Sequence, residues 1–215
     1  MYRIGYIDDQ PIQYEIYKKK LQRRFSDVEL ILLDGCKTKE GFLEKIYEQQ
    51  IDVLLVDYKM AGTFGFNGSA LISYINDQIR DLECFILTAV EQENIKDGLV
   101  AYRDRRSKTI FDTEGDDEQR VNDLNEFVEI LKDSADVFRK RREEKREKYL
   151  KLFEKRKVRQ LSLQDEEEYL RLYKVLSSYG MIEKLPENVL TSKFDEDLKG
   201  LLEVGEAILK KYKAK

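Results

Sequence analysis

The sequence predicts an α/β protein, with a five-stranded doubly wound parallel sheet followed by a helical, partly coiled-coil extension. In the first half, short apolar runs alternate with segments whose apolar residues recur every three or four positions, which is typical of strands covered by helices. From about residue 118 the spacing is helical, and neither glycine nor proline occurs before Gly180. We therefore expect two regions, 1–117 and 118–215.

Apolar runs mark the strands of the first region. They are short and apolar nearly throughout, as strands buried on both faces of a parallel sheet should be. The five predicted strands run from Tyr2 to Asp8, Val28 to Asp34, Asp52 to Asp57, Glu83 to Ala89 and, more weakly, Lys108 to Thr113.

The second region is expected to hold a long helix, about 118–159, and then two shorter helices. Apolar residues follow one another at alternating spacings of three and four, as in a coiled-coil seam, but Arg142 and Lys145 interrupt the stripe. Its apolar members are Val121, Leu124, Val128, Leu131, Ala135, Phe138, Tyr149 and Leu152. Such a stripe needs cover, either from a second copy of the chain or from the rest of its own chain.

Composition limits the chemistry and the location. The chain contains no histidine, which excludes histidine-based acid–base catalysis and histidine metal ligands. No apolar run approaches the roughly 20 residues that span a bilayer. The N-terminus lacks the pattern of a signal peptide, and two cysteines, Cys36 and Cys84, fit a reducing compartment. We expect a cytoplasmic protein with no membrane partner.

Acidic residues stand at the ends of predicted strands. Asp8 and Asp9 end the first strand, Asp57 ends the third, and Thr88 ends the fourth. The carboxyl ends of parallel strands share one edge, where ligands bind. Converging carboxylates need a counter-charge, and a hard cation with oxygen ligands, such as Mg²⁺, supplies one. The simpler interpretation is that Asp9 caps the first helix.

Four segments together resemble the receiver domains of two-component response regulators. They are Tyr6-Ile7-Asp8-Asp9, the run Val53 to Met60, the pair Asn67-Gly68, and Phe85 to Ala89. The resemblance covers roughly the first 115 residues and implies the flavodoxin-like receiver fold. The remaining helical extension resembles no output domain.

The resemblance also implies functions for individual residues. Asp57 would be the phosphoacceptor, and Mg²⁺ would be held by Asp8, Asp9, Asp57 and the backbone carbonyl of Lys59. Thr88 would be the switch hydroxyl, and Phe111 the switch aromatic. The phosphoryl group would come from an upstream histidine kinase or a small phosphodonor. The chain would then be a signalling protein and not an enzyme, with an aspartyl-phosphatase-type hydrolase as a minor alternative.

One family feature is not where the resemblance places it. The lysine that closes the phosphate site should fall near Thr113 or Glu114, and neither is lysine. Lys59, Arg105 and Lys108 are possible substitutes. If none of them serves, the domain is a degenerate receiver that is not phosphorylated and acts only as a docking module.

The extension carries a basic segment. Between Arg139 and Arg159 there are twelve lysines or arginines against four glutamates. Such a stripe can bind the phosphates of nucleic acid, so a nucleic-acid-binding regulator is an alternative. A solvated helix with internal ion pairs is the simpler interpretation. We favour an extension that binds a protein partner or forms a homodimer.

Overall fold

The computed structural model describes residues 1–89, 95–112, 118–159, 161–185 and 192–213. The chain divides into two compact units, Met1–Arg141 and Arg142–Lys215. The predicted limits of 1–117 and 118–215 stay a prediction, and the structure adds that residues 118–141 belong to the first unit.

The first unit is built on one parallel sheet. Its strands lie in the order β2-β1-β3-β4-β5, and every neighbouring pair is parallel. This is the flavodoxin-like doubly wound order, with its switch point between β1 and β3. The predicted fold class is confirmed. The strands are β1 (Tyr2–Ile7), β2 (Val28–Leu32), β3 (Val53–Asp57), β4 (Cys84–Thr88) and β5 (Arg105–Ser107).

Four strands lie where the sequence predicted them, and the prediction for the fifth was wrong. Residues Lys108–Phe111 form a 3-10 helix, and β5 is the three residues before it. The prediction relied on the apolar residues Ile110 and Phe111, which are typical of a buried strand. In the structure, Phe111 is buried, but it belongs to the 3-10 helix. The real strand is polar, and its three residues pair only with β4.

Among the described residues, four α-helices of the first unit precede the long one. They are α1 (Pro11–Arg24), α2 (Lys39–Glu48), the short α3 (Ala61–Phe64) and α4 (Gly68–Gln78). Pro11 opens α1 at a position where its missing N–H costs nothing. Thr38 caps α2 by accepting a hydrogen bond from the backbone N–H of Gly41.

The long helix α5 (Glu118–Val158) completes the first unit with its N-terminal part. Leu124, Phe127, Val128, Leu131 and Ala135 join the core formed by the strands and α1. The apolar stripe of this part of the helix therefore needs no second chain to cover it. It is the inner face of a helix that packs within its own domain.

The second unit contains the rest of α5 together with α6 (Leu163–Ser178) and α7 (Ser192–Lys213). Ser162 caps α6 by accepting a hydrogen bond from the backbone N–H of Asp165. Tyr149 of α5 stacks on Tyr169 of α6, with ring centroids 5.0 Å apart. Leu172 and Leu176 complete this small core. Across the described residues, no helix combines the length and apolar character needed to cross a membrane.

An ion pair fastens α5 to the sheet. Arg139 donates from Nε to Asp52 Oδ1 at 3.0 Å and from Nη2 to Oδ2 at 2.6 Å. The Asp52 carboxylate is buried and also accepts the backbone N–H of Arg3. Hydrogen bonding to Asp52 raises the pKa of the Arg139 guanidinium, although burial opposes the rise. A two-pronged contact of this kind fixes the position of a helix as well as stabilising it.

We predict that Arg139→Leu lowers the free energy of unfolding of the first unit by about 2 kcal/mol, because the substitution leaves Asp52 buried without its counter-charge. Urea unfolding followed by circular dichroism measures the change. Arg141→Leu is the matched control, since Arg141 pairs with Asp81 at the exposed surface, where we expect a loss below about 0.5 kcal/mol. Equal losses in the two variants would contradict the structural importance of the Asp52 pair.

Candidate functional site

Polar side chains from four neighbouring strands meet at the carboxyl edge of the sheet. The register places Val56 beside Ile7, Asp57 beside Leu87, and Thr88 beside Ser107. The residues at or just beyond these strand ends are Asp8, Asp9, Asp57, Thr88 and Lys108. Because β1 and β3 are neighbours, Asp8 and Asp57 lie on either side of the switch point of the sheet.

Lys108 binds the two buried aspartates. Its Nζ lies 2.8 Å from Asp57 Oδ1 and 2.7 Å from Asp8 Oδ2. The position follows from the true extent of β5, since Lys108 is the first residue after Ser107. The positions where the resemblance places a lysine, Thr113 and Glu114, lie outside the described residues. Of the three substitutes named from the sequence, Lys108 is the one whose ammonium is seen to bond to these aspartates. Lys59, by contrast, is exposed.

Asp8 is held by groups that sequence reasoning missed. The Tyr6 hydroxyl donates a hydrogen bond to Asp8 Oδ2, and the backbone N–H of Gln10 donates to Oδ1 at 2.8 Å. Tyr6 lies on β1 two residues before Asp8, so that both side chains point to the same side of the strand. Burial is the main reason that the pKa of Tyr6 is raised, and the bond to Asp8 adds to it. Tyr6 therefore stays protonated as a donor.

Asp9 does not cap the first helix. The N-cap of α1 is Gln10, whose side chain makes no capping hydrogen bond. Instead, Asp9 Oδ2 accepts a hydrogen bond of 3.0 Å from the Thr63 hydroxyl in α3. Asp9 is also less buried than its neighbours in the cluster. The site is therefore more accessible to solvent on the side of the Asp9 carboxylate.

The cluster has the composition of a divalent-cation site. Asp8, Asp9 and Asp57 each offer a carboxylate oxygen, and these oxygens lie within 4.8 Å of one another. With Lys108 protonated, the four side chains carry two uncompensated negative charges. A divalent ion with oxygen ligands matches both the charge and the donor atoms. The three carboxylates would hold Mg²⁺, whose remaining ligands are commonly water and phosphate oxygens.

The electrostatics favour a basic Asp57 carboxylate beside a firmly charged lysine. Burial raises the pKa of Asp57, Lys108 opposes the rise, and repulsion from Asp8 and Asp9 adds to it. For Lys108, burial disfavours the ammonium, but its bonds to Asp57 and Asp8 outweigh that effect and its pKa is raised. The lysine therefore remains a cation at neutral pH.

Gly68 allows the site to close around Asp57. A Cβ at this position would lie 2.1 Å from the backbone carbonyl oxygen of Asp57. The N–H of Gly68 also donates to the carbonyl of Tyr58 at 3.0 Å. Only glycine lets the start of α4 approach the end of β3 this closely. The Asn67-Gly68 pair noticed in the sequence thus has a steric reason.

Two other predicted site residues have clear positions. Thr88 ends β4 and is 1% exposed. Phe111 is buried in the 3-10 helix after β5 and stacks on Tyr17, with ring centroids 4.2 Å apart. The functions expected of Thr88, Phe111 and the Lys59 carbonyl stay predictions.

No protein-family model matches the sequence, and no curated protein matches it. Solved response-regulator structures match roughly 60% of the chain or more. Response regulator TrrA of Thermotoga maritima, in complex with Mg²⁺–BeF, is 23% identical over 61% of this chain and 99% of its own, with a TM-score of 0.44. A CheY-like receiver domain protein of Methanospirillum hungatei JF-1 is 15% identical over 62% and 96%, at 0.44. RcsB of Salmonella typhimurium is 16% identical over 85% and 94%, at 0.46.

We predict that Gly68→Ala destabilises the first unit by about 1–3 kcal/mol, because its methyl group collides with backbone and not with a movable side chain. The expected result is a lower urea midpoint together with shifted NMR signals for Asp57 and its neighbours. Gly62→Ala is the control, since nothing lies within 4 Å of a Cβ there. If both variants unfold at the same urea concentration, close packing at Gly68 does not shape the site.

Proposed function

We propose that this chain is a receiver-type signalling protein in which Asp57 accepts a phosphoryl group in the presence of Mg²⁺. The metal ligands would be Asp8, Asp9, Asp57 and the backbone carbonyl of Lys59. The observation that carries the proposal is the Lys108 ammonium, which bonds to both Asp57 and Asp8. A phosphate formed on Asp57 would have a cation beside it, so the degenerate docking module becomes the less favoured alternative.

The side chains have distinct tasks in this reaction. A carboxylate oxygen of Asp57 attacks the phosphorus of the donor, and the bond from phosphorus to the donor's leaving group breaks. Lys108 donates to the transferred phosphate, where a charge-assisted hydrogen bond is strongest. Asp8, Asp9 and Asp57 would hold Mg²⁺, which would supply positive charge for the phosphate oxygens.

Residues at the ends of the neighbouring strands would respond to the new phosphate. Thr88 ends the strand next to Asp57, and its hydroxyl would donate to a phosphate oxygen. Phe111 remains the predicted switch aromatic. Because these 215 residues include no histidine, no residue of this sequence can be a phosphohistidine donor, and the proposed donor is an upstream histidine kinase or a small phosphodonor. An aspartyl-phosphatase activity would use the same carboxylates for hydrolysis and would release phosphate with turnover.

The helical extension is proposed to engage a protein partner or a second copy of the chain. Its basic segment is partly occupied by contacts within each unit. Lys148 pairs with Glu168 at 2.6 Å, Lys155 pairs with Asp165, and Arg156 lies over the ring of Tyr169. These contacts support the solvated-helix interpretation over nucleic-acid binding. A steep loss of DNA binding with added salt would support the nucleic-acid alternative instead.

We predict that the wild type gains a phosphate mass when incubated with acetyl phosphate and Mg²⁺, and that Asp57→Asn does not. Intact-mass spectrometry measures both. Lys108→Ala should slow the gain about 10²-fold, because it removes a donor aimed at developing negative charge. Lys45→Ala, which removes a half-buried lysine of α2 paired with Glu48, should leave the rate unchanged. A wild type that never gains the mass would overturn the active-receiver proposal.

We predict that Asp8→Asn and Asp9→Asn each weaken Mg²⁺ binding by at least about tenfold, the loss seen even for outer-shell partners of a metal. Each substitution removes a ligand and a negative charge. Isothermal titration calorimetry or NMR titration gives the affinities. Glu44→Gln removes one exposed carboxylate of α2 and should bind Mg²⁺ as the wild type does. Unchanged affinity in both aspartate variants would exclude these residues from the metal site.

A further inference from the structure

Helix α7 carries a broad apolar face that no described part of the chain covers. Among the side chains described in this helix, six large aliphatic residues are between 45% and 71% exposed: Leu198, Leu201, Leu202, Val204, Ile208 and Leu209. On α6, by contrast, Leu172 and Leu176 are buried. Exposed aliphatic residues clustered on one helix mark an interaction surface.

The spacing of this face is that of a helix-packing stripe. Positions 198, 201, 205 and 208 follow one another at spacings of three, four and three, and Leu202 and Leu209 widen the stripe. The helix has 22 residues, so it extends for about 33 Å. It is long enough to pack along another helix over several turns.

The charges of α7 are divided along its length. Residues 192–206 contain five acidic residues, at positions 195, 196, 197, 203 and 206, and two lysines, at 193 and 199. Residues 207–213 contain three lysines, at 210, 211 and 213, and no acidic residue. Two copies packed in parallel would place like charges beside each other. Two copies packed antiparallel would place the acidic part of each beside the basic end of the other. Charges flanking a helical stripe set the orientation of the partners in this way.

We propose that α7 is an antiparallel dimerisation helix whose apolar face packs against α7 of a second copy of this chain. With the pair centred on Val204, position 197 of one copy lies beside position 211 of the other, where the sequence has Asp and Lys. The two-fold symmetry of such a dimer makes this contact occur twice.

The same charges argue against a lipid surface as the occupant. Over residues 192–213 there are five acidic and five basic residues. An amphipathic helix that binds anionic membranes gains affinity from a cationic polar face. Here the acidic part would be repelled. The second copy is therefore the occupant whose charge pattern fits.

This dimer extends the proposed function by naming the partner of the extension, but it does not require phosphorylation. Asp57→Asn should self-associate as the wild type does. Loss of phosphorylation with an intact dimer would overturn only the proposed function, and a phosphorylated monomer would overturn only this inference.

The test is sedimentation velocity of the full chain over a range of concentrations. We expect a reversible dimer for the wild type, and roughly tenfold weaker association for Asp197→Lys and for Lys211→Glu, because two symmetry-related contacts become repulsive. The double variant Asp197→Lys/Lys211→Glu restores both contacts and should dimerise within about threefold of the wild type. Glu203→Lys makes the same charge change on the outer side of the stripe and should have little effect.

Leu201→Glu is the second probe, since it places a charge in the apolar stripe and should give a folded monomer, with helicity checked by circular dichroism. Leu201 is exposed in the single chain, so the substitution should not unfold it. The inference is overturned if the wild type is monomeric at every concentration, if the double variant is no tighter than the single variants, or if Leu201→Glu still dimerises. It is equally overturned if the wild type binds phosphatidylserine vesicles as a monomer.

Discussion

The ammonium group of Lys108 bonds to carboxylates at the ends of two different strands, Asp57 at the end of β3 and Asp8 just after β1. Without this cation, three aspartates would face one another at the edge of the sheet, and repulsion would favour protonation or local opening. The contact depends on strand pairing, because it requires β5 to end at Ser107 beside Thr88. The chemistry of the site thus depends on the register of a three-residue strand, which the packing of α5 against the sheet helps to hold.

Four strands and the acidic residues at their ends could be predicted because their signals are local. Each of those strands is a short apolar run, and each carboxylate or hydroxyl stands at its end, so the shared edge of a parallel sheet brings them together. The fifth strand could not be found in this way. Arg105 is buried on β5 because its guanidinium donates to the carbonyls of Ile95 and Val100. Those partners are specified by the fold and not by neighbouring residues. Because β5 ends at Ser107, the residue that directly follows it is Lys108, earlier in the chain than the predicted end of the strand.

The two apolar stripes of the helical region show why periodicity alone does not identify what covers a helix. Spacings of three and four run through both α5 and α7. The chain's own sheet covers the apolar face of the first half of α5. Ion pairs from Arg139 to Asp52 and from Lys132 to Asp27 hold the helix in this position. For α7, the described residues supply no cover. The same pattern therefore predicts a helix in both places, while long-range polar partners decide between an intramolecular and an intermolecular surface.

A continuous line of side-chain contacts runs from the site to Phe111. Asp8 accepts from Tyr6, Tyr6 packs edge-on against Tyr17 at 5.8 Å, and Tyr17 stacks on Phe111. Phe111 precedes α5 in the chain. Contiguity alone does not transmit a signal, since coupling requires an element with two arrangements that both ends bias. A phosphate on Asp57 would compete with Asp8 for the Lys108 ammonium. The hydrogen bond from Tyr6 to Asp8 would then change as well. The line of contacts therefore supplies contiguity from Asp8 to Phe111, and a second arrangement of the aromatic stack is what a phosphate on Asp57 would have to favour for a signal to pass along it.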